Sequence, residues 1–391
     1  MTNAAGNPNR SALQFVLLLG AVSLFADITY EGARSIAGPY LAVLGASGTV
    51  VGVVSGFGEL LGYGLRFVSG WISDRTRQYW AITIAGYFIN LLAVPALALA
   101  GRWESAAALL IAERVGKAIR NPPRDAMLSH AASRLGAGWA FGLHEALDQA
   151  GAVTGPLLIA AVLHVRGDYQ ESFAMLLIPA LLALAVLLTA RFLHPRPRDL
   201  GRTVAKVSGE NMPRVYWVYL AAAGLVAAGY VDFPLIAFHL KRQTIASEAF
   251  IPVLYAVAMA VDAISALICG RLFDRKGIQV MAWVAALGSL FAPLVFLGGS
   301  GMALLGMAIW GVGMGAQESI LKAAVAGLVS PDRRGSAFGL FNAGFGAAWF
   351  AGSAAMGVLY DYSILLLVTC SIGLQMAAVP VFLATHSRLR A

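Results

Sequence analysis

Charged residues are scarce in this sequence of 391 residues, since Asp, Glu, Lys and Arg together make up 12%. A soluble globular domain carries about 25% charged residues, which keep its surface hydrated. Hydrophobic residues reach 59% here. Such a chain cannot cover its surface with polar groups, so a soluble globular protein is excluded. We expect the outer surface to face the lipid bilayer.

Other absences narrow the function. The two cysteines, Cys269 and Cys370, lie in apolar runs and are expected to be buried, not to form a disulfide or hold a metal. No nucleotide-binding loop of the Gly-x-x-x-x-Gly-Lys-Ser/Thr type occurs, so ATP is not the expected energy source. We predict no cofactor and a proton gradient as the driving force. No cleavable signal is expected, because residues 1–10 are polar and the first apolar run is long enough to span.

Twelve segments are long and apolar enough to cross a bilayer, which takes about 20 residues per helix. The predicted spans are 12–42, 48–71, 79–101, 103–122, 138–164 and 170–193, followed by 214–240, 249–270, 279–299, 301–325, 335–358 and 361–385. The fold class is therefore an all-α membrane protein. The polar, basic segment 194–213 is interpreted as a linker between two six-helix bundles, 1–193 and 214–391.

The Lys and Arg residues predict the orientation. With a cytoplasmic N-terminus, 19 of them lie in inner segments and 4 in outer ones. Both termini are thus predicted in the cytoplasm of a multi-pass protein of the inner membrane. This topology accounts for the net charge of +8, so no nucleic-acid partner is expected.

The two halves share an internal repeat. Gly70-Trp-Ile-Ser-Asp74-Arg75 recurs as Gly270-Arg-Leu-Phe-Asp274-Arg275, an offset of 270 − 70 = 200. Ala140-Phe-Gly-Leu recurs as Ala337-Phe-Gly-Leu, an offset of 337 − 140 = 197, which also relates Gly155 to Gly352. Matches at equivalent helix ends indicate duplicated halves, an arrangement known among transporters.

The loops Gly70–Arg75 and Gly270–Arg275 match a signature of the major facilitator superfamily. The chain resembles this superfamily over essentially its whole length. The resemblance implies twelve transmembrane helices in two bundles related by a pseudo-two-fold axis, and a monomer that moves a small-molecule solute. In that family the loop Asp and Arg latch neighbouring helices on the cytoplasmic side. The second loop, ending Asp274-Arg275-Lys276-Gly277, matches better than the first, in which Arg77 stands where glycine is usual.

Segments of spans one, four and five resemble one branch of prokaryotic permeases. They are Phe25-Ala-Asp27-Ile28, Glu113-Arg114-Val-Gly116-Lys117-Ala-Ile-Arg120-Asn-Pro122-Pro123-Arg124-Asp125-Ala126 and Ala140-Phe-Gly-Leu-His144-Glu-Ala-Leu-Asp148. Gly151-x-x-x-Gly155-Pro156 is similar to a motif of exporting antiporters, although the glycine pair that usually follows is replaced by Ile159 and Ala160.

Charged residues inside membrane spans are costly and usually mark solute or ion pathways. The candidates for solute binding or proton coupling are Asp27, Glu31, Glu59, Arg114 and Asp232. The family's helix-four arginine, linked to proton coupling, corresponds to Arg114. Structural ion pairs are the alternative for each of these residues.

A second set is predicted to form gating and charge networks: Arg66, Asp74, Arg75, Lys117, Arg120, Arg124, Asp125, Glu145, Asp148, Asp274, Arg275 and Glu318. Several lie three or four positions apart and so share a helix face. Glu145 and Asp148 are expected to be partners of Lys117 and Arg120. Glu318 is expected to pair with Lys322, four positions further along its own helix.

Prolines predict two breaks. Pro122-Pro123 should end the fourth helix in a sharp turn, because proline cannot donate the helical hydrogen bond. Asp232-Phe233-Pro234 should interrupt the seventh span and face the cavity.

The preferred function is proton-coupled export of a small organic molecule. An uptake symporter or a uniporter on the same fold remains an alternative, because sequence does not encode direction. A divalent-metal exporter with Asp27, Glu31, His144 and Glu145 as ligands is a third possibility, although no resident metal is predicted. A membrane sensor or scaffold is the non-transport alternative.

Overall fold

The computed structural model describes residues 8–135, 137–195, 212–329 and 334–390, and every regular element in these ranges is a helix. The helices are α1 (Pro8–Val43), α2 (Gly48–Thr76), α3 (Tyr79–Ala96, extended by a 3-10 turn at Leu97–Leu99), α4 (Trp103–Leu135), α5 (Ala137–Arg166), α6 (Tyr169–Met175), α7 (Leu177–Leu193), α8 (Arg214–Gly229), α9 (Phe233–Arg242), α10 (Phe250–Lys276), α11 (Gln279–Gly288), α12 (Phe291–Phe296), α13 (Ser300–Leu328), α14 (Arg334–Tyr362) and α15 (Ile364–Arg390).

These helices correspond to the predicted spans in order, with α6–α7, α8–α9 and α11–α12 each forming one interrupted span. In the described part of the chain, 11 segments are long and apolar enough to cross a membrane. The remaining span is α4, which carries a run of charged residues from Glu113 to Asp125. Large apolar side chains are exposed on the outside of several helices, among them Phe192 and Leu267, as expected of a surface that faces lipid.

The predicted end of the fourth helix is wrong. Helix α4 continues through Pro122 and Pro123 to Leu135. Proline at position 123 leaves the carbonyl of Ile119 without its usual amide donor. The Ser69 hydroxyl of α2 donates to that carbonyl at 2.5 Å, which replaces the donor lost at Pro123 and helps the helix to continue across the prolines.

The predicted break in the seventh span is confirmed. Helix α8 ends at Gly229 and α9 begins at Phe233, with Pro234 in its first turn. The Asp232 carboxylate accepts a hydrogen bond from the Phe233 amide at 3.0 Å and thereby caps α9. Its side chain is buried in an ion pair described below.

The chain divides into two compact units. The first takes residues from Met1–Ala33, Gly64–Ala100 and Ala108–Ala205, and the second from Arg34–Tyr63, Gly101–Ala107 and Lys206–Ala391. The second unit therefore includes the end of α1 and the start of α2. Most of the predicted linker lies outside the described residues, and the division into bundles 1–193 and 214–391 stays a prediction.

The two signature loops share one backbone feature. Arg77, which follows α2, has φ +60, and Gly277, which follows α10, has φ +67. These residues are 200 positions apart and so occupy the same place in the repeat. Because only glycine adopts positive φ without cost, this geometry explains why glycine is usual at the position and why Arg77 is strained there.

Candidate functional site

The first unit buries a cluster of charged side chains from three helices, here named the α1–α4–α5 cluster: Asp27, Glu31, Lys117, Arg120, Arg124, His144 and Asp148. Asp27 of α1 is 2% exposed. Its carboxyl group lies beside that of Asp148 on α5, within reach of a hydrogen bond. Two carboxyl groups can form such a bond only when one of them carries a proton. The carboxyl pair is therefore a candidate site for a proton between two helices.

Basic residues of α4 surround this carboxyl pair. Lys117 Nζ lies 3.8 Å from Glu31 Oε1 and 3.7 Å from the centre of the Tyr30 ring. The Arg120 guanidinium, in a side chain only 1% exposed, lies 4.2 Å from the Tyr87 ring centre. Both cations interact electrostatically with Asp27. The aromatic faces stabilise the two cations where contact with solvent is limited.

The remaining members join α4 to α5 through α1. Arg124 donates to the Ser23 hydroxyl at 3.2 Å, and the His144 ring nitrogen Nε2 lies 3.0 Å from the same hydroxyl. Arg124 also pairs with Asp125 at 2.8 Å, and Asp125 is exposed. The hydrogen bond to Ser23 therefore fixes the position of the His144 ring within the cluster.

Arg114 belongs to a separate pair. Its Nε lies 3.3 Å from Glu113 Oε2, and Glu113 accepts a hydrogen bond of 2.8 Å from the Asn90 amide on α3. Glu113 is buried and Arg114 half-buried. Glu113 therefore contacts both the adjacent residue on α4 and a residue of another helix.

The second unit contains three charged residues that we name the Arg34 triad: Arg34, Glu59 and Asp232. Arg34 Nη2 lies 2.7 Å from Asp232 Oδ1 and 3.4 Å from Glu59 Oε1. The three side chains are between 3% and 12% exposed. The triad joins the end of α1 and the start of α2 to the break between α8 and α9, so predicted site residues Glu59 and Asp232 share one partner.

The start of α2 is fixed to the end of α14 in the same unit. Asp361 accepts hydrogen bonds from the amides of Gly48 at 2.9 Å and Thr49 at 2.7 Å, and from the Thr49 hydroxyl at 2.7 Å. We name this group the Asp361 cap. A side chain at Gly357 would lie 2.6 Å from the Gly48 carbonyl and 3.0 Å from the Gly52 Cα, so the two helices touch through backbone.

The sequence model described as Major Facilitator Superfamily matches residues 17–353 and 218–389. The chain belongs to this superfamily. It is a transporter and not an enzyme, and it spans the bilayer to move a small molecule. The predicted fold class, an all-α membrane protein with the fold of this superfamily, is confirmed.

Relatives within the superfamily extend over nearly the whole chain. An uncharacterized protein of Mycobacterium tuberculosis is 44% identical over 387 residues, covering 97% of this chain and 95% of that protein. An uncharacterized MFS-type transporter of Methanocaldococcus jannaschii is 26% identical and covers 91% of this chain and 90% of that protein. The crystal structure of the nucleoside transporter NupG has a TM-score of 0.73 at 14% identity, with 96% of this chain and 99% of that chain covered. This last likeness shows the fold alone.

The superfamily signature residues lie at the ends of α2 and α10. Asp74 accepts a hydrogen bond from the Tyr79 hydroxyl at 2.8 Å, and the Arg75 guanidinium lies 5.3 Å from the Trp71 ring centre. Asp274 and Arg275 are exposed at the end of α10. In the first loop, Asp74 and Arg75 therefore each contact an aromatic residue of the same region, and a latch role for them stays a prediction.

Other predicted residues lie elsewhere. Glu145 is exposed and accepts from Gln149 at 3.5 Å, and Arg66 is half-buried on α2. Glu318 is exposed on α13, and its predicted pairing with Lys322 lies outside the described side chains. Among the described residues, no group of three or more His, Cys, Asp or Glu side chains could hold a metal ion.

Sequence reasoning missed several partners. Arg34 is one charge of the first span, but nothing in its spacing marks it as the centre of a triad. Asp361 gives no local signal, because the residues it caps are more than 300 positions away. The Tyr30 and Ser23 contacts could have been sought on the helix face of Asp27, since they lie three and four positions from it.

Proposed function

We propose that the chain is a proton-coupled exporter, an antiporter that moves a small organic solute out of the cell as protons enter. The observation that carries this proposal is the carboxyl pair of Asp27 and Asp148. Adding or removing its proton changes the net charge of a buried site, where charge is expensive. Protonation can therefore favour one conformation of the transporter over another.

The basic neighbours support reversible proton loading. When the shared proton leaves, the pair gains a second negative charge beside Lys117 and Arg120. No described residue accepts a hydrogen bond from the Nε or Nη1 atoms of Arg120. These donors are available to a carboxylate, and a charge-assisted hydrogen bond would stabilise the deprotonated pair.

The proposed direction rests on helix α5. Its Gly151-x-x-x-Gly155-Pro156 segment, similar to the antiporter motif, packs directly on α1. A side chain at Gly151 would lie 2.8 Å from the Asp27 Cβ, and one at Gly155 would lie 2.9 Å from the Ile28 Cα. The exporter-like segment thus contacts the helix turn that carries the proposed proton site.

Alternating access needs gates at both ends of the pathway. We assign the outer gate to the Arg34 triad and the Asp361 cap. Each unit has its own inner latch in its signature loop, Asp74–Arg75 in the first unit and Asp274–Arg275 in the second. Leaving a buried charge without its partner costs about 3–5 kcal/mol. Opening of the outer end must therefore supply the triad with water or solute.

The test begins with a thermal-shift screen of the purified protein against a library of metabolites, drugs and metals. A solute found in this way is then applied as a gradient to proteoliposomes that contain a pH-sensitive dye. We expect proton flux opposite in direction to solute flux. Asp27→Asn and Asp148→Asn should each abolish this proton flux while solute exchange continues.

The matched control is Asp262→Asn, which neutralises a buried carboxyl group of the second unit. It should retain coupled proton flux. Flux of protons and solute in the same direction would overturn export in favour of symport. Unchanged coupling in both Asp27→Asn and Asp148→Asn would remove the carboxyl pair as the proton carrier.

A further inference from the structure

A cavity of about 270 Å³ lies at one end of the second unit, where α10 ends and α11 begins. The ends of α13 and α15 complete its wall. Arg275, Lys276 and His386 contribute basic groups to its lining, and Phe273 and Ile278 contribute apolar ones. We name this cavity the basic pocket. None of the described residues that line it is acidic.

The basic side chains of the pocket carry more positive charge than is needed to offset the negative ends of the helix dipoles around it. A helix C-terminus carries about half a negative charge, so α10 and α13 together offset about one cation. Arg275 and Lys276 supply two. The end of α10 also needs no side-chain donor, because the Gly277 amide donates to the Phe273 carbonyl at 2.7 Å. The lining itself therefore carries a net positive charge that can attract an anion.

The imidazole of His386 gives a second, independent indication. Its Nε2 atom is buried, and no described residue makes a hydrogen bond to it. A buried polar atom without a partner is uncommon and calls for an explanation. A ligand oxygen in the basic pocket could accept a hydrogen bond from this nitrogen, while Arg275 and Lys276 provide charge.

We propose that the basic pocket binds a phosphate group, carried either by an anionic phospholipid or by a soluble phosphate compound. Basic pockets at the cytoplasmic ends of membrane helices suit such headgroups. The charge distribution of the sequence places this end of α10 in the cytoplasm. Pockets for drug-sized ligands measure about 300–1,000 Å³. The smaller volume here favours a phosphate-sized group over a larger cofactor.

The experiment is native mass spectrometry of the purified full chain, supported by thermal shift. Phosphatidylglycerol, phosphatidylcholine and inorganic phosphate are added separately. The double variant Lys276→Gln/His386→Gln should weaken binding of the preferred phosphate ligand by about tenfold or more, as expected for lost charge-assisted hydrogen bonds. Arg271→Gln removes an exposed cation of α10 that does not line the pocket; it is the control and should bind normally.

A second variant leaves every charge in place. Gly327 lines the basic pocket, and a side chain added there would meet open space. Gly327→Leu should therefore fold normally and block binding by occupying the cavity. This variant separates loss of the pocket from loss of the fold.

The outcomes distinguish a phospholipid from a soluble phosphate compound as the source of the bound phosphate group. Selective retention of phosphatidylglycerol over phosphatidylcholine, lost in both pocket variants, identifies a lipid headgroup. Binding of inorganic phosphate, or its competition with the lipid, identifies a soluble source. Equal retention of both lipids by wild type and variants, without phosphate binding, would overturn the proposal. Since the readout is binding, it is independent of the proton-coupled export proposed above.

Discussion

Tyr30 and Tyr230 occupy equivalent places in the two halves, 200 positions apart, yet their surroundings differ in chemistry. Lys117 lies over the Tyr30 ring at 3.7 Å, within the α1–α4–α5 cluster. Around Tyr230 the neighbours are aromatic, with the Trp310 ring at 5.5 Å and the Phe291 ring at 5.1 Å. In the first half this position lies beside buried charge, and in the second half it is packed among aromatic rings.

The backbone plan of the two halves is the same. Gly155 of α5 allows close contact with Ile28 of α1, and Gly352 of α14 allows close contact with Ala228 of α8. Each pair of residues is related by the repeat. In contrast, the carboxyl pair of Asp27 and Asp148 has Ala227 and Phe345 at its repeat positions. The two halves therefore share the close helix contacts that the fold needs, and only the first half adds a pair of carboxyl groups at these positions.

The largest effect on stability is expected when a charged side chain is introduced into the buried part of the second half. Ala227→Asp places a carboxylate at a fully buried position of α8. We expect a loss of about 3–5 kcal/mol in stability, as for an uncompensated buried charge. Thermal unfolding in detergent, followed by size-exclusion chromatography, measures this. Asp27→Ala is the counterpart and should be much milder; equal losses would contradict the asymmetry.

The shared backbone plan predicts equal damage in both halves. Gly155→Leu and Gly352→Leu each force a side chain against the backbone of a neighbouring helix. Each should lower the free energy of unfolding by about 3 kcal/mol, as expected for overpacking. The same thermal unfolding assay checks it. Gly142→Leu is the control, because a side chain there meets open space. Tolerance of either packed glycine would argue against close contact in that half.

The caps at the outer helix ends differ between halves. Helix α2 has the Asp361 cap, whereas Ala249 before α10 gives no side-chain cap. Asp361→Ala should cost about 2 kcal/mol, because several hydrogen bonds at a helix start are lost together. It should also speed maleimide labelling of a Thr49→Cys reporter. His164→Ala, at the repeat position of Asp361, should change neither quantity, and identical behaviour of both variants would refute the difference.

The smallest effect concerns the signature loops. Arg77→Gly should raise stability by about 1 kcal/mol, because glycine adopts the positive φ of that residue without strain. Gly277→Arg should have the opposite sign and a similar or larger size. Thermal unfolding again checks both. A destabilising Arg77→Gly would show that the arginine side chain contributes more than its backbone costs.

Composition, apolar runs and the repeat were enough to predict the helices and the superfamily, because lipid imposes length and polarity on every span. The end of α4 was mispredicted because the donor that satisfies it, Ser69, lies 50 positions away. The buried acids Asp27 and Asp232 could be singled out by their cost. Their partners Asp148 and Arg34 depend on helix contacts that spacing along one helix does not encode.

The central claim is that one proton is held between Asp27 and Asp148. Infrared difference spectroscopy of the protein in lipid, recorded while pH is varied, measures it without a solute. We predict a protonated-carboxyl band that titrates in the wild type, disappears in Asp27→Asn and in Asp148→Asn, and persists in Asp262→Asn. A band that is unchanged in both single variants would contradict the account.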